Sequence, residues 1–241
     1  MTDQYKHKST VNEIKARFDS EVDRFSNLET GQSATIDAPL VLDLITDAAC
    51  ATNKTPGHIL DIGCGAGNYT LKLLEKVTSC QKITLIDLSR AMLDRAKERI
   101  EAVSQAKITL IQGDIRSIDL GNETFDMVFA AAVLHHLRED SEWESVFSKI
   151  YESVTPEGSF WVSDLVSHDN HAIHQVMWDR YGEYLSCFKD DSYRDDVFAY
   201  ISKEDSPRSL MFQLALLKKA GFSKLEILHK NAVFSAFSAI K

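Results

Sequence analysis

The chain has 241 residues, 44% hydrophobic and 26% charged, and carries a formal net charge of −9. That length suits a single α/β domain with a sizeable core, and the acidic excess disfavours partners bound through a broad cationic face, such as duplex DNA or an anionic membrane. The four cysteines (Cys50, Cys64, Cys80 and Cys187) form no C-x-x-C pair, which argues against a zinc framework or a disulfide scaffold, and no apolar run reaches the about 20 residues that span a bilayer.

Residues 1–55 read as a helical N-terminal segment, with apolar positions at Val11, Ile14, Phe18, Val22 and Phe25, then Leu40, Leu44 and Ala48. Its first 17 residues are polar and charged, unlike a signal peptide, so the expectation is a reduced, cytoplasmic protein. From residue 56 short β-rich runs alternate with amphipathic ones: 58–62 after the Pro56-Gly57 turn, 82–86, 107–111, 125–131 and 159–166. These runs show little polar alternation, as strands buried on both faces do, and predict a doubly wound parallel sheet. Between them, Met92, Ala96, Ile100 and Val103 recur at helical spacing behind a Ser89 N-cap. Trp143, Val146, Phe147, Ile150, Tyr151 and Val154 trace one stripe that opens with Ser141 and Glu144 in capping-box spacing and closes at Pro156 and Gly158. Ser206-Pro207 is expected to start a further helix, with Leu210, Leu214 and Leu217 inward and Gly221 as its stop. Two strands, 224–228 and 233–240, are joined too closely to be anything but antiparallel neighbours. Residues 168–205 stand outside the alternation as an insertion, so the expected organisation is a segment 1–55 packed on a domain 56–241 with a helical cap at 168–205.

The chemistry concentrates in Leu60-Asp61-Ile62-Gly63-Cys64-Gly65-Ala66-Gly67-Asn68. A buried strand runs into three alternate glycines and then a helix. Glycine is required where φ is positive, or where a ligand comes closer than a Cβ permits. A dinucleotide fingerprint needs G-x-G-x-x-G, whereas Asn68 stands in the place of its third glycine. Asp61 would repel a diphosphate but suits an ammonium, and S-adenosylmethionine carries an ammonium and no phosphate. Asp87, ending the second strand, can accept both hydroxyls of a ribose in charge-assisted hydrogen bonds worth about 1.5–3 kcal/mol each. Asp114 follows the third strand and can accept from an adenine amino group. All three acids stand at or just after strand carboxyl ends, the edge where open α/β sheets bind ligands.

Over roughly residues 57–165 the sequence resembles the class I S-adenosylmethionine-dependent methyltransferases. The resemblance implies a Rossmann-like seven-stranded, mostly parallel sheet with an antiparallel last strand. It also implies that Gly63, Gly65 and Gly67 line the methionine part of S-adenosyl-L-methionine, with Cys64 as a small residue of the same turn. Asp87 would hold the ribose and Asp114 the adenine, between apolar walls Leu88, Met92 and Ile115.

The run Phe125-Asp126-Met127-Val128-Phe129-Ala130-Ala131-Ala132-Val133-Leu134-His135-His136-Leu137 resembles the fourth-strand motif of that family, with Ala131 small enough to let backbone carbonyls reach the cofactor. The N-P-P-Y, D-P-P-Y and P-C motifs of base methylators are absent from the sequence, which points away from nucleic acid and towards a small-molecule acceptor. Methyl transfer from a sulfonium gains most from alignment and exclusion of water, and a base serves only an acceptor that arrives protonated. His135 is the candidate base and Asp164 a second polar group facing the cleft. No metal site is expected: His168, His171 and His174 follow at intervals of three, which drifts around a helix, whereas zinc helices favour i, i+4. Trp178, Tyr181 and Tyr184 share a helix face as cap core or as an acceptor-facing wall. A homodimer is left open. Phe18-Asp19 and Lys219-Ala220-Gly221-Phe222 are also similar to the carboxy-S-adenosylmethionine synthases. The arginine that pairs with the extra carboxylate in that family falls near Leu216 here, which ranks carboxyl transfer second. A non-catalytic S-adenosylmethionine-binding protein and a dehydrogenase are the remaining readings.

Overall fold

The computed structural model describes residues 5, 7–27 and 31–241; the expectation of helix at 1–4, 6 and 28–30 lies outside the described residues. Helices α1 (Val11–Ser20) and α2 (Val22–Ser26) open the chain, followed by α3 (Ala38–Thr52). The α/β core then runs β1 (His58–Ile62), α4 (Asn68–Leu74), β2 (Lys82–Asp87), α5 (Arg90–Glu101), β3 (Lys107–Gln112) and β4 (Phe125–Ala131). A 3-10 turn at Leu134–His136 leads to α6 (Asp140–Ser153) and β5 (Val154–Leu165). Two cap helices, α7 (His171–Phe188) and α8 (Asp191–Glu204), precede α9 (Leu210–Ala220), β6 (Lys224–Asn231) and β7 (Phe234–Ile240).

The seven strands lie in the order β3-β2-β1-β4-β5-β7-β6, with β7 antiparallel to both of its neighbours and the rest parallel. Strand alternation divides the core between the two faces. Ile59, Ile83, Leu85, Met127, Phe129 and Trp161 pack under α3, α4 and α5. Leu60, Ile62, Ile86, Val128, Phe160 and Val162 pack instead with Trp143, Phe147 and Leu217 of α6 and α9. Chain order reverses between β1 and β4, so the crevice over their carboxyl ends is the topological switch point at which such sheets bind ligands.

Three boundaries differ from the sequence expectation, each for a tertiary reason. Helix α6 is capped one turn-fraction earlier, by a box of Glu139 and Glu142 and not Ser141 and Glu144. The Trp143 indole N–H donates to Leu137 O (3.1 Å) and fixes the approach, while Glu144 is engaged with Lys219 of α9 (3.0 Å). Pro156 and Gly158 fall in an irregular start of β5, where the register against β4 shifts between Phe125 and Met127. Helix α9 begins at Leu210 behind a Ser209 cap, because Ser206 N–H donates to His135 O (2.7 Å) and Ser209 bridges to Ser167. Its fully buried positions are therefore Gln213, Leu216 and Leu217, with Leu210 and Leu214 only partly covered. Gly221 ends it at φ 120°.

The cap has its own apolar core. Tyr181, Leu185 and Ile201 pack with Leu165, Val233 and Ile36, and Trp178 meets Phe198 edge-on at 5.2 Å. The Tyr181 and Tyr184 hydroxyls donate to Ala34 O (2.8 Å) and Ser33 O (3.1 Å), so cap and N-terminal segment hold each other. Among the described residues no helix is long and apolar enough to cross a membrane.

Candidate active site

The glycine turn joins β1 to α4 at the switch point. Gly63 and Gly65 take φ of 64° and 49°. A side chain at Gly63 would strike Val133 at 2.5 Å, so this glycine lets the β4 loop close over the turn. At Gly65 an added Cβ would meet nothing within 4 Å, so the turn forms a cradle with open space on that side. Gly67 caps α4 and packs against Ala96 of α5. Cys64 enters the turn with its thiol buried in the apolar layer below, where burial raises its pKa well above the ordinary range, so it offers the crevice only backbone. Arg99 of α5 supports the turn from behind, donating to Ala66 O (2.6 Å) and Asn68 Oδ1 (2.8 Å).

Three carboxylates surround this cradle. Asp87 Oδ2 accepts from Gly65 N–H (2.9 Å) and its Oδ1 from Ser89 N–H (2.8 Å), which locks β2 to the glycine turn. Burial pushes its pKa up to about 6. Asp61 lies under the turn, accepts from the Thr70 hydroxyl (2.7 Å), and is raised to about 7 by burial, with the nearby Asp87 charge adding to the effect. For Asp114 burial would act upwards, but the Arg116 guanidinium grips both oxygens and holds the carboxyl below its ordinary value. Arg116 in turn reaches Glu142 of α6 (2.9 Å). Met92 and Ile115 are buried and Leu88 half-buried. Among the described residues no cationic side chain pairs with Asp61, which accepts from Thr70 and is repelled by the Asp87 charge. The set therefore fits a phosphate-free nucleoside with an amino-acid tail. From above, α1 and α2 close the crevice: Ser89 Oγ donates to Asp19 Oδ1 (2.6 Å) and Asn68 Nδ2 to Phe25 O (3.0 Å).

Beside the cradle, β4 ends at Ala131, half-buried, and Ala132 takes a left-handed φ of 52° while its N–H donates to Ser163 O of β5 (2.8 Å). That turn aims the 3-10 segment at Asp164. Asp164 Oδ2 accepts from the N–H groups of Leu134 (2.9 Å) and His135 (3.2 Å), and Oδ1 pairs with His135 Nδ1. The other ring nitrogen of His135, Nε2, faces Asp205 Oδ1 at 3.6 Å, and His136 Nδ1 lies 3.3 Å from the same oxygen. Burial alone would lower the His135 pKa, but Asp164 and Asp205 outweigh it and raise it to about 9. Burial, with the adjacent His135, drives His136 well below its usual value; burial pushes Asp205 up to about 6, with the Asp164 and Glu204 charges adding to it and His135 opposing. Glu204 pairs with Arg17, whose Nη2 donates to the Tyr200 hydroxyl (2.8 Å), and Phe18 lies edge-on to His136 at 6.2 Å.

The sequence-derived residues thus form two adjoining groups, Asp61 to Gly67 with Asp87, and Ala131 with His135 and Asp164; Asp114 and Ile115 border the first. Sequence reasoning missed Asp205, His136, Glu204, Arg17, Arg99 and Arg116. The Arg116 signal was present, two residues after Asp114; the others are brought in by the folding of distant segments. His168 and His174 have ring centroids 6.0 Å apart, with His168 Nε2 against Lys230 Nζ (3.2 Å), and do not form a ligand set with His171 among the described residues.

Residues 59–158 match the model of a methyltransferase domain. The carboxy-S-adenosyl-L-methionine synthases of Nautilia profundicola and Escherichia coli are each 27% identical, over 76% and 77% of this chain and 76% of their own. Among solved structures, a Burkholderia thailandensis 1,6-didemethyltoxoflavin-N1-methyltransferase with bound S-adenosylhomocysteine superposes at a TM-score of 0.60 and 18% identity, covering 97% of this chain and 91% of that one. Human N-acetylserotonin methyltransferase in complex with S-adenosylmethionine superposes at 0.61 and 18%, covering 98% of this chain. The chain spans 63% of that protein's length, and 62% of an O-methyltransferase family protein from Burkholderia thailandensis with a TM-score of 0.65. With the strand order, the matched residues give the chain a methyltransferase domain over 59–158, and the likenesses give it the seven-stranded fold of the S-adenosylmethionine-dependent methyltransferases.

Proposed function

We propose that the protein methylates a small-molecule acceptor that approaches over the carboxyl ends of β4 and β5. The observation that carries this reading is the adjacency of the two groups: a cradle open at Gly65 and lined by Asp61 and Asp87, and a buried His135–Asp164 pair one strand away. S-adenosylmethionine supplies an electrophilic methyl group when bound. Asp61 receives the ammonium of its amino-acid tail, Asp87 the ribose hydroxyls and Asp114 the adenine amino group, while Cys64, Leu88, Met92, Ile115 and Ala131 border it. Helices α1 and α2 with the cap exclude water and align the acceptor, the main work such a displacement requires. Once deprotonated, above its raised pKa of about 9, His135 takes the acceptor's proton at Nε2, with Asp164 holding the ring in register through Nδ1.

Calorimetry should detect binding of S-adenosylhomocysteine and none of NAD, and Asp87→Ala should weaken the former at least about tenfold, or 1.4 kcal/mol. Near-wild-type affinity in that variant removes the ribose assignment. A panel of small phenols, amines and carbon acids, read by S-adenosylhomocysteine release, identifies the acceptor. For one that loses a proton, His135→Ala should lower turnover and leave cofactor affinity unchanged.

Carboxyl transfer is the second reading, favoured by the curated relatives. Against it, Leu216 stands where that chemistry would call for an arginine, and its side chain belongs to the core under α9. Mass spectrometry of the nucleoside that copurifies with the protein separates the two, since the carboxylated cofactor is heavier.

A further inference from the structure

The buried cluster beyond His135 holds more polar atoms than it satisfies. His136 Nδ1, Asp205 Oδ1, Glu204 Oε2 and Ser206 Oγ are all buried without a hydrogen-bond partner. A buried polar atom without a partner costs about 1–3 kcal/mol, and two of these four, His136 Nδ1 and Asp205 Oδ1, face each other at 3.3 Å. His135 Nε2, His136 Nδ1 and Asp205 Oδ1 all lie within 4.8 Å of one another. The two printed edges of that triangle, 3.6 Å and 3.3 Å, can be compared with coordination polyhedra. Ligands 2.0–2.1 Å from a tetrahedral cation are about 3.3–3.4 Å apart; octahedral neighbours at the same bond length are about 3.0 Å apart. The observed edges match the tetrahedron. Behind the triangle, Asp164 accepts from His135 Nδ1, the carboxylate–histidine arrangement that fixes the tautomer and turns the Nε2 lone pair outward.

We propose that His135 Nε2, His136 Nδ1 and Asp205 Oδ1 are the protein ligands of a divalent cation of the zinc class, bound tetrahedrally with the fourth position open. Two imidazoles and one carboxylate select such a cation over magnesium or calcium, which take oxygen ligands. A surface pocket of about 440 Å³ between Lys8 and Arg208 is lined in part by Asp205 and Ser206. Three cations stand nearby: Arg17 pairs with Glu204, Lys8 donates to the carbonyls of Ser202 (2.7 Å) and Asp205, and Arg138 donates through Nη2 to Ser9 O while its Nε is buried without a partner. The site deepens the methyltransferase reading and rests on it only for the acceptor. The His135 Nε2 lone pair serves one partner at a time, so a bound cation replaces it as the proton-handling centre and offers its open position to an acceptor oxygen or nitrogen.

The test uses tag-free, full-length protein stripped with a chelator and dialysed against Zn²⁺ or Co²⁺, with no acceptor present. One equivalent of metal per chain is expected, and the Co²⁺ form should show the intense visible absorption of a tetrahedral site. His136→Gln and Asp205→Asn should each weaken binding by about tenfold or more, and the double variant His168→Gln/His174→Gln should bind as wild type does. Substoichiometric metal, a weak octahedral Co²⁺ spectrum, or loss of the equivalent in the His168/His174 double variant would overturn the site. Should the Asp205 or His136 variant fail to fold, the wild-type stoichiometry and spectrum still decide. Calorimetry of S-adenosylhomocysteine on the same stripped protein separates the two readings: cofactor binding without metal binding removes the cation and leaves the methyltransferase, whereas metal without cofactor does the reverse.

Discussion

Two glycines two residues apart have different tasks, and substitution tells them apart. Both hold positive φ, so alanine at either incurs about 1–2 kcal/mol of backbone strain. At Gly63 the new Cβ also drives into Val133 at 2.5 Å, adding an overpacking cost of about 1–3 kcal/mol. Gly63→Ala should therefore lower the denaturant midpoint clearly, whatever ligand is present. At Gly65 the space is open, so Gly65→Ala should show the backbone strain alone and yet lose S-adenosylhomocysteine affinity by about tenfold or more. Wild-type affinity in Gly65→Ala would place the cofactor elsewhere. This distinction was half legible in the sequence. Three alternate glycines after a strand announce a tight ligand-approaching turn, but which of them faces ligand and which faces protein depends on Val133, delivered by a different strand. The acids were legible for a related reason: Asp61, Asp87, Asp114 and Asp164 all terminate or follow apolar runs, and in a parallel sheet those ends share one edge.

Elements were legible where local pattern and tertiary demand agree. The strand at 125–131 and the Ser89 cap are read directly, since the hydrophobic run and the Met92 N–H donor are local. The starts of α6 and α9 were misread because Trp143 and Ser206 answer to partners outside their own helices, Leu137 O and His135 O. The buried cluster beyond His135 was illegible for the same reason. Asp205 and Glu204 end α8, Arg17 belongs to α1, and only the folding of cap onto N-terminal segment brings them to His135 and His136. That junction is also the part most able to open. Arg17 covers Glu204, which has 7% of its side chain exposed, and Arg17→Ala leaves that carboxylate buried and unpaired. The expected cost is about 3–5 kcal/mol, confined to this junction. Amide exchange should therefore quicken in α1 and the end of α8 but not in the sheet, and S-adenosylhomocysteine should dissociate faster. Uniform loss of protection would mean that the pair supports the whole fold and not the closure.

At the scale of the molecule, an acidic protein keeps two of its acids protonated where most would have ionised. Asp61 and Asp87 are raised from 3.8 to about 7 and about 6, because burial disfavours their charged forms, with the Asp87 charge adding at Asp61 and the Asp19 charge at Asp87. In the unfolded chain both give up their protons near pH 4, so between there and neutrality the folded protein binds more protons than the unfolded one. Raised folded values make their contribution to stability complete at low pH and progressively lost as pH climbs through about 6 and then 7. For fully buried Asp61 the loss across that window is about 4 kcal/mol. The cofactor inverts the relation, since an ammonium at Asp61 and ribose hydroxyls at Asp87 are bound best by the ionised carboxylates. Between about pH 5 and about pH 7, the affinity for S-adenosylhomocysteine should rise by up to about tenfold per pH unit while the ligand-free midpoint falls. Asp61→Asn should flatten both slopes together. If the variant kept the wild-type pH dependence of binding, the charge that receives the amino-acid tail would lie on another residue, and the turn at Gly63–Gly67 would hold the cofactor by backbone alone.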